Sequence, residues 1–154
     1  MNHLKTLVLF SALFLLISCK KHHDDPEPTP TSHVVSGKLY GKDFTYASGK
    51  ANKTVNTYQE EGFEIFLSSA KGQGCGSADE NFDVIIRVPR KTGKATDYYA
   101  IFSNPGTEDY VMFSDGNVFE VTSISETTIK GNIKATDVKS NSSIDGTFEA
   151  TICN

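Results

Sequence analysis

The feature that most constrains this chain is a strict two-residue alternation near its C-terminal end. Ile144, Gly146, Phe148, Ala150 and Ile152 share one parity, and Asp145, Thr147, Glu149 and Thr151 the other. Successive side chains of a β-strand point to opposite faces, so this segment has one apolar and one polar face only as a strand. As a helix, the same residues would be scattered around the cylinder. Two shorter sets repeat the pattern: Phe63, Ile65 and Leu67, then Val84, Ile86 and Val88. No stretch of ten or more residues beyond the N-terminal region combines helical periodicity with caps. Thr54–Glu61 is the one segment that reads equally as a short helix or a loop.

Short runs with a period near two, separated by turn residues, continue from about His33 to Asn154. The expected strands are Val34–Tyr40, Asp43–Gly49, Phe63–Ser68, Asp83–Val88, Tyr98–Phe102, Tyr110–Ser114, Val118–Ser125, Thr127–Ala135 and Ser143–Cys153. Ser114-Asp115-Gly116-Asn117 is the clearest hairpin signal, because Asp-Gly suits the positive φ angles of tight hairpin turns. The fold expected is all-β, an antiparallel β-sandwich or an up-and-down barrel of about eight or nine strands. Ile129-Lys130-Gly131 and Ile144-Asp145-Gly146 are similar, with a fainter echo in Val35-Ser36-Gly37, and each Gly falls on the apolar face. A glycine there marks a bulge, a bend or close packing against a large side chain.

The N-terminal region is different in kind. Lys5 precedes a run from Leu7 to Ile17 of small or apolar residues. A charged start followed by an apolar stretch of about 7–15 residues is a secretory signal peptide, too short for a membrane span of about 20 residues. The run ends in Leu16-Ile17-Ser18-Cys19, which resembles the lipobox of bacterial lipoproteins. The resemblance implies cleavage after residue 18, a diacylglycerol on the Cys19 thiol and usually a further acyl group such as palmitate on its new amino group. At about 0.8 kcal/mol per buried methylene, two or three such chains anchor firmly where one does not. Residues 20–32 hold three of the five prolines and no aliphatic or aromatic side chain. They read as a solvated, semi-stiff spacer. The organisation expected is signal peptide 1–18, lipidated Cys19 and tether 19–32, and an all-β domain 33–154. It is similar in style to small lipoproteins of Bacteroidota.

With Cys19 assigned to lipid, Cys75 and Cys153 remain. An exported domain sits where disulfides persist, and no His neighbours either residue to lower a thiol pKa. A Cys75–Cys153 bridge is therefore expected. It would close most of the domain into one covalent loop, worth about 4.5 kcal/mol on the chain-entropy model. Gly72-Gln73-Gly74-Cys75-Gly76 looks like a phosphate-cradling loop but is followed by an acidic turn and a strand rather than a helix, so it reads as a loop holding half of that bridge. Asp79, Glu80 and Asp83 offer oxygens for calcium without the spacing of an EF-hand, and no metal or other cofactor is expected. Arg87, Arg90, Lys91 and Lys94 form a small basic turn around Pro89 and Gly93, which reads first as a charged hairpin loop and second as a contact for an anionic glycan or a lipid head group.

The formal net charge is −4, which gives no electrostatic footprint for nucleic acid. A nucleophile–His pair in the domain would have to use His33, at its very edge. Sixteen of the nineteen acidic residues lie in 33–154, and no spacing selects a glycosidase pair. Phe66 and one of Tyr98 or Tyr99 fall on the face opposite the apolar triads, where exposed aromatics stack on sugars or protein partners. The function expected is that of a lipid-anchored cell-envelope lipoprotein. It would act as a non-catalytic binding or accessory module, held to the membrane through Cys19 and engaging an envelope protein or glycan. The alternatives are a barrel carrying an apolar ligand and an envelope glycan hydrolase.

Overall fold

The structure, a computed structural model, describes residues 33–55, 60–96, 98–113 and 117–153. These residues form a nearly all-β domain. Its strands are β1 (Ser36–Leu39), β2 (Lys42–Thr45), β3 (Ser48–Val55), β4 (Glu61–Ser68), β5 (Val84–Pro89) and β6 (Gly93–Lys94), then β7 (Tyr99–Ser103), β8 (Tyr110–Phe113), β9 (Val118–Ile124), β10 (Thr128–Asp137) and β11 (Ser142–Cys153). One 3-10 turn, Asp79–Asn81, precedes β5.

Nine strands follow one path in the order β6-β9-β10-β11-β3-β4-β5-β7-β8, and the β1–β2 hairpin branches from β11. The strongly alternating C-terminal segment is the hub. One edge of β11 pairs with β10 along ten residues. The other edge is shared, with Ser143–Asp145 taking β1 antiparallel and Thr151–Cys153 taking β3 parallel. The sheet is therefore mixed rather than purely antiparallel, and it curls around one core.

Three expectations are corrected. β8 and β9, which flank the Asp-Gly turn, form no hairpin: β8 pairs with β7, and β9 with β10 and β6. Turn chemistry fixes a local reversal, whereas partner choice is settled by which faces can bury together. The expected strand Asp43–Gly49 divides into β2 and the start of β3, with a break at Tyr46 and Ala47. Thr54 and Val55 belong to β3 and Glu61 to β4, so the ends of the segment read as helix or loop are extended; 56–59 lie outside the described residues, as do Ser114, Asp115 and Gly116.

The alternating triads face inward as expected. Phe63, Ile65 and Leu67 meet Val84, Ile86 and Val88, Phe102 from β7, Phe119 from β9 and Ile144 from β11 in one cluster. The apolar-face glycines make this possible. A methyl group on Gly131 would lie 2.5 Å from the Glu120 carbonyl oxygen and 2.6 Å from Cζ of Phe148, its cross-strand partner, so backbone and ring together take the space beside Gly131. At Gly146, with φ +135°, a methyl would lie 2.5 Å from the His33 carbonyl, where the entering chain crosses β11. Both positions are filled by another part of the chain, backbone and a ring in one case and backbone alone in the other.

Candidate functional site

The basic turn lies at one end of the curled sheet, where β3 ends, β4 begins and β5 finishes. Pro89 pairs with Gly62 at the last rung of β4–β5, and the Arg90 amide donates to the Glu61 carbonyl at 3.1 Å, extending the ladder one step. The Lys91 amide then donates back to the Pro89 carbonyl at 2.8 Å, a three-residue turn of the γ type. The turn projects the Arg90 side chain across the strand ends. Its Nη1 donates to Glu61 Oε2 at 2.7 Å, with both side chains substantially exposed. An ion pair this open contributes little to stability.

Beside it, Glu64, Arg87 and Tyr99 stand in register on the outer faces of β4, β5 and β7. Tyr99 donates to Glu64 Oε1 at 2.5 Å. Partial burial, then the bond to Glu64 and that residue's charge, push the phenol up to about 12, against the opposing influence of Arg87. Three depressions surround this corner. One of about 390 Å³ is lined by Glu60, Glu61, Arg87, Arg90, Lys91 and Thr96 over Val88 and Pro89. One of about 350 Å³ lies between Lys53, Arg90, Ser125 and Glu126, and one of about 200 Å³ between Lys53, Val55, Glu61 and Arg90. The site can hold and orient a polar ligand of mixed donors and acceptors, with cations in the majority.

The other residues singled out in the sequence have different fates. Phe66 is on the outer face as expected, but it is buried. The 69–83 loop folds back over it, Phe82 meets it edge-on at 5.4 Å between ring centroids, and Lys50 Nζ lies 5.0 Å from both rings. It is no stacking platform because the loop has taken the place a partner would occupy. The Lys50 ammonium donates to Asp79 Oδ1 and to the Ser77 carbonyl, both at 2.7 Å. Asp83 accepts from the amide and hydroxyl of Ser69. Two of the three acids considered for calcium are thus tied to protein partners. Among the described residues no group of three or more His, Cys, Asp or Glu side chains is placed to hold a metal.

Cys75 and Cys153 are joined, with Sγ atoms 2.09 Å and Cα atoms 5.4 Å apart. The bridge ties the same loop to the last strand. Of the two tyrosines, Tyr99 is the one on the outer face, while Tyr98 packs on Phe119 at 4.6 Å between centroids. His33 takes part through its carbonyl, which accepts from the Thr147 amide. Cys19 lies outside the described residues. Sequence reasoning missed Lys50 and Lys53. The signal available was that Ala51 is the inward residue between them, which places Lys50 outward on a strand, but nothing in the sequence announces the covering loop. A comparison with known proteins finds no matching family model, no matching curated protein and no matching solved structure.

Proposed function

We propose that the chain is a lipid-anchored lipoprotein of the cell envelope whose β domain is a non-catalytic binding or accessory module, with the Arg90 corner as its binding site. The observation that carries the anchor is Leu16-Ile17-Ser18-Cys19, closing an apolar run and followed by a proline-rich polar stretch through residue 32. The support for binding rather than chemistry is the state of the acids at the corner. Glu61 is paired with Arg90, and Glu64 accepts from Tyr99, so both already accept from protein donors.

A carrier of apolar ligands finds less support. Phe63, Phe102, Phe119 and the inward aliphatic side chains occupy the interior, and the depressions described open on the surface. We read the sheet as a half-open barrel rather than a sandwich. β8 and β9 lie near opposite ends of the strand path, yet only four residues join them, which holds their ends within about 18 Å. Tyr98, ahead of β7, also donates to the Asn117 carbonyl at 2.9 Å and packs on Phe119.

The anchor is tested by growing cells expressing the protein with an alkyne-tagged fatty acid. The protein is expected to carry the tag and to partition into detergent, and Cys19→Ser to lose both while keeping its leader. A tag retained in Cys19→Ser, or no tag on the native protein, overturns the assignment.

A further inference from the structure

We infer that the corner around Arg90 binds an acidic polysaccharide, recognising its sugar carboxylates. The inference rests on the reading of the domain as an envelope binding module and adds the ligand class. Arg90 lines all three depressions at the corner, Glu61 is common to two of them and Lys53 to two. Three hollows that share walls in this way lie side by side across the ends of β3, β4 and β5, an arrangement suited to successive sugars of an extended chain.

The charge of the hollows decides the sign of the ligand. Lys53, Arg87, Arg90 and Lys91 contribute four cations against the carboxylates of Glu60, Glu61 and Glu126, an excess of one positive charge on a chain whose formal net charge is −4. The ion pair with Glu61 engages Nη1 of Arg90. A guanidinium carries five N–H donors in a planar fork that matches a carboxylate in a two-point bond. A ligand carboxylate therefore completes the fork or displaces Glu61. Glu60 and Glu61 at the rim supply acceptors for sugar hydroxyls.

Other ligand classes fit less well. A neutral glycan calls for an aromatic platform, but the chain has no Trp, and Phe63 in the hollows is 1% exposed. An extended peptide is commonly taken on a free sheet edge, whereas β4 lies between β3 and β5, and β5 between β4 and β7. A bilayer needs a protruding surface, and the cations here line hollows.

The test is calorimetric titration of the full chain in detergent with oligogalacturonate, alongside its methyl-esterified form, which keeps the sugar chain and removes the charge. Binding is expected for the acid, absent for the ester and weakened by added salt. Arg90→Ala is expected to weaken it about tenfold or more, as for loss of a charge-assisted bond. Glu61→Gln, which removes the competing carboxylate, is expected to tighten it. Melting curves confirm that each variant is folded, and Lys53→Ala with Lys91→Ala, both at exposed positions, carries the test if Arg90→Ala is not. No binding, equal binding of the ester, indifference to these cations, or preference for phosphatidylglycerol vesicles overturns the inference. Such a result with Cys19 still acylated removes the ligand class and leaves the anchor standing. Loss of the anchor leaves this titration interpretable.

Discussion

Lys50 is 4% exposed, yet its charge is answered from three sides: the Asp79 carboxylate, the Ser77 carbonyl, and the faces of Phe66 and Phe82. Asp79 is mostly exposed, so the cation is the member of the pair that depends on the arrangement. Lys50→Met keeps the stem over the two rings and removes the donors. It is expected to cost about 1.5 kcal/mol in urea unfolding, the scale of a hydrogen bond from a charged group, and to speed proteolysis in the 69–83 loop. Tyr99 gives a second residue-scale expectation. Its folded pKa is raised from 10.0 to about 12, so the neutral phenol is favoured in the folded state. The stability it adds is complete below pH 10 and is lost as pH rises through about 12. Melting temperature measured across that window is expected to fall more steeply in the native protein than in Tyr99→Phe. Neither role was legible in the sequence. Lys50 and Tyr99 take their hydrogen-bond partners from other elements, Ser77 and Asp79 for the one and Glu64 for the other.

At the scale of elements, the loop between β4 and β5 is held at several points. The Cys75–Cys153 bridge, Lys50, Ser48 on the Ala70 carbonyl and Ser68 on the Asn81 carbonyl all fasten it over the outer face of β3 and β4. The cysteines are 78 positions apart, and opening a loop of that size is expected to cost about 4.5 kcal/mol on the chain-entropy model. Urea midpoints with and without reductant measure it, with Cys75→Ser as the control that reductant no longer shifts. The covalent pair was legible by elimination, once Cys19 was given to lipid. The strand faces were legible too, since parity alone assigns Ile65, Ile86 and Ile152 to the core. Pairing was only partly so. A tight turn that does close a hairpin, Tyr40-Gly41 with φ 51° and 74°, carries a tyrosine where Asn or Asp is the usual sign. The Asp-Gly signal instead connects strands that do not pair.

Across the whole molecule, every element described lies in residues 33–153, and the core is a single cluster drawn from both ends of the strand path. A fragment starting at His33 is therefore expected to fold with its disulfide and melt within a degree or two of the full chain, measured by calorimetry with both in the same detergent. A much lower melting point would show that the preceding residues contribute packing. Composition, alternation and the N-terminal run determined the compartment proposed, the all-β class, the inward faces and the cysteine pair. Each is a local property, or a count, that holds whatever the partners are. The branch at β11, the parallel β3 pairing, the burial of Phe66 and the union of Lys53, Glu61 and Arg90 at one corner were decided only in three dimensions. They depend on which distant strand supplies the matching face, and parity along one strand carries no information about that choice.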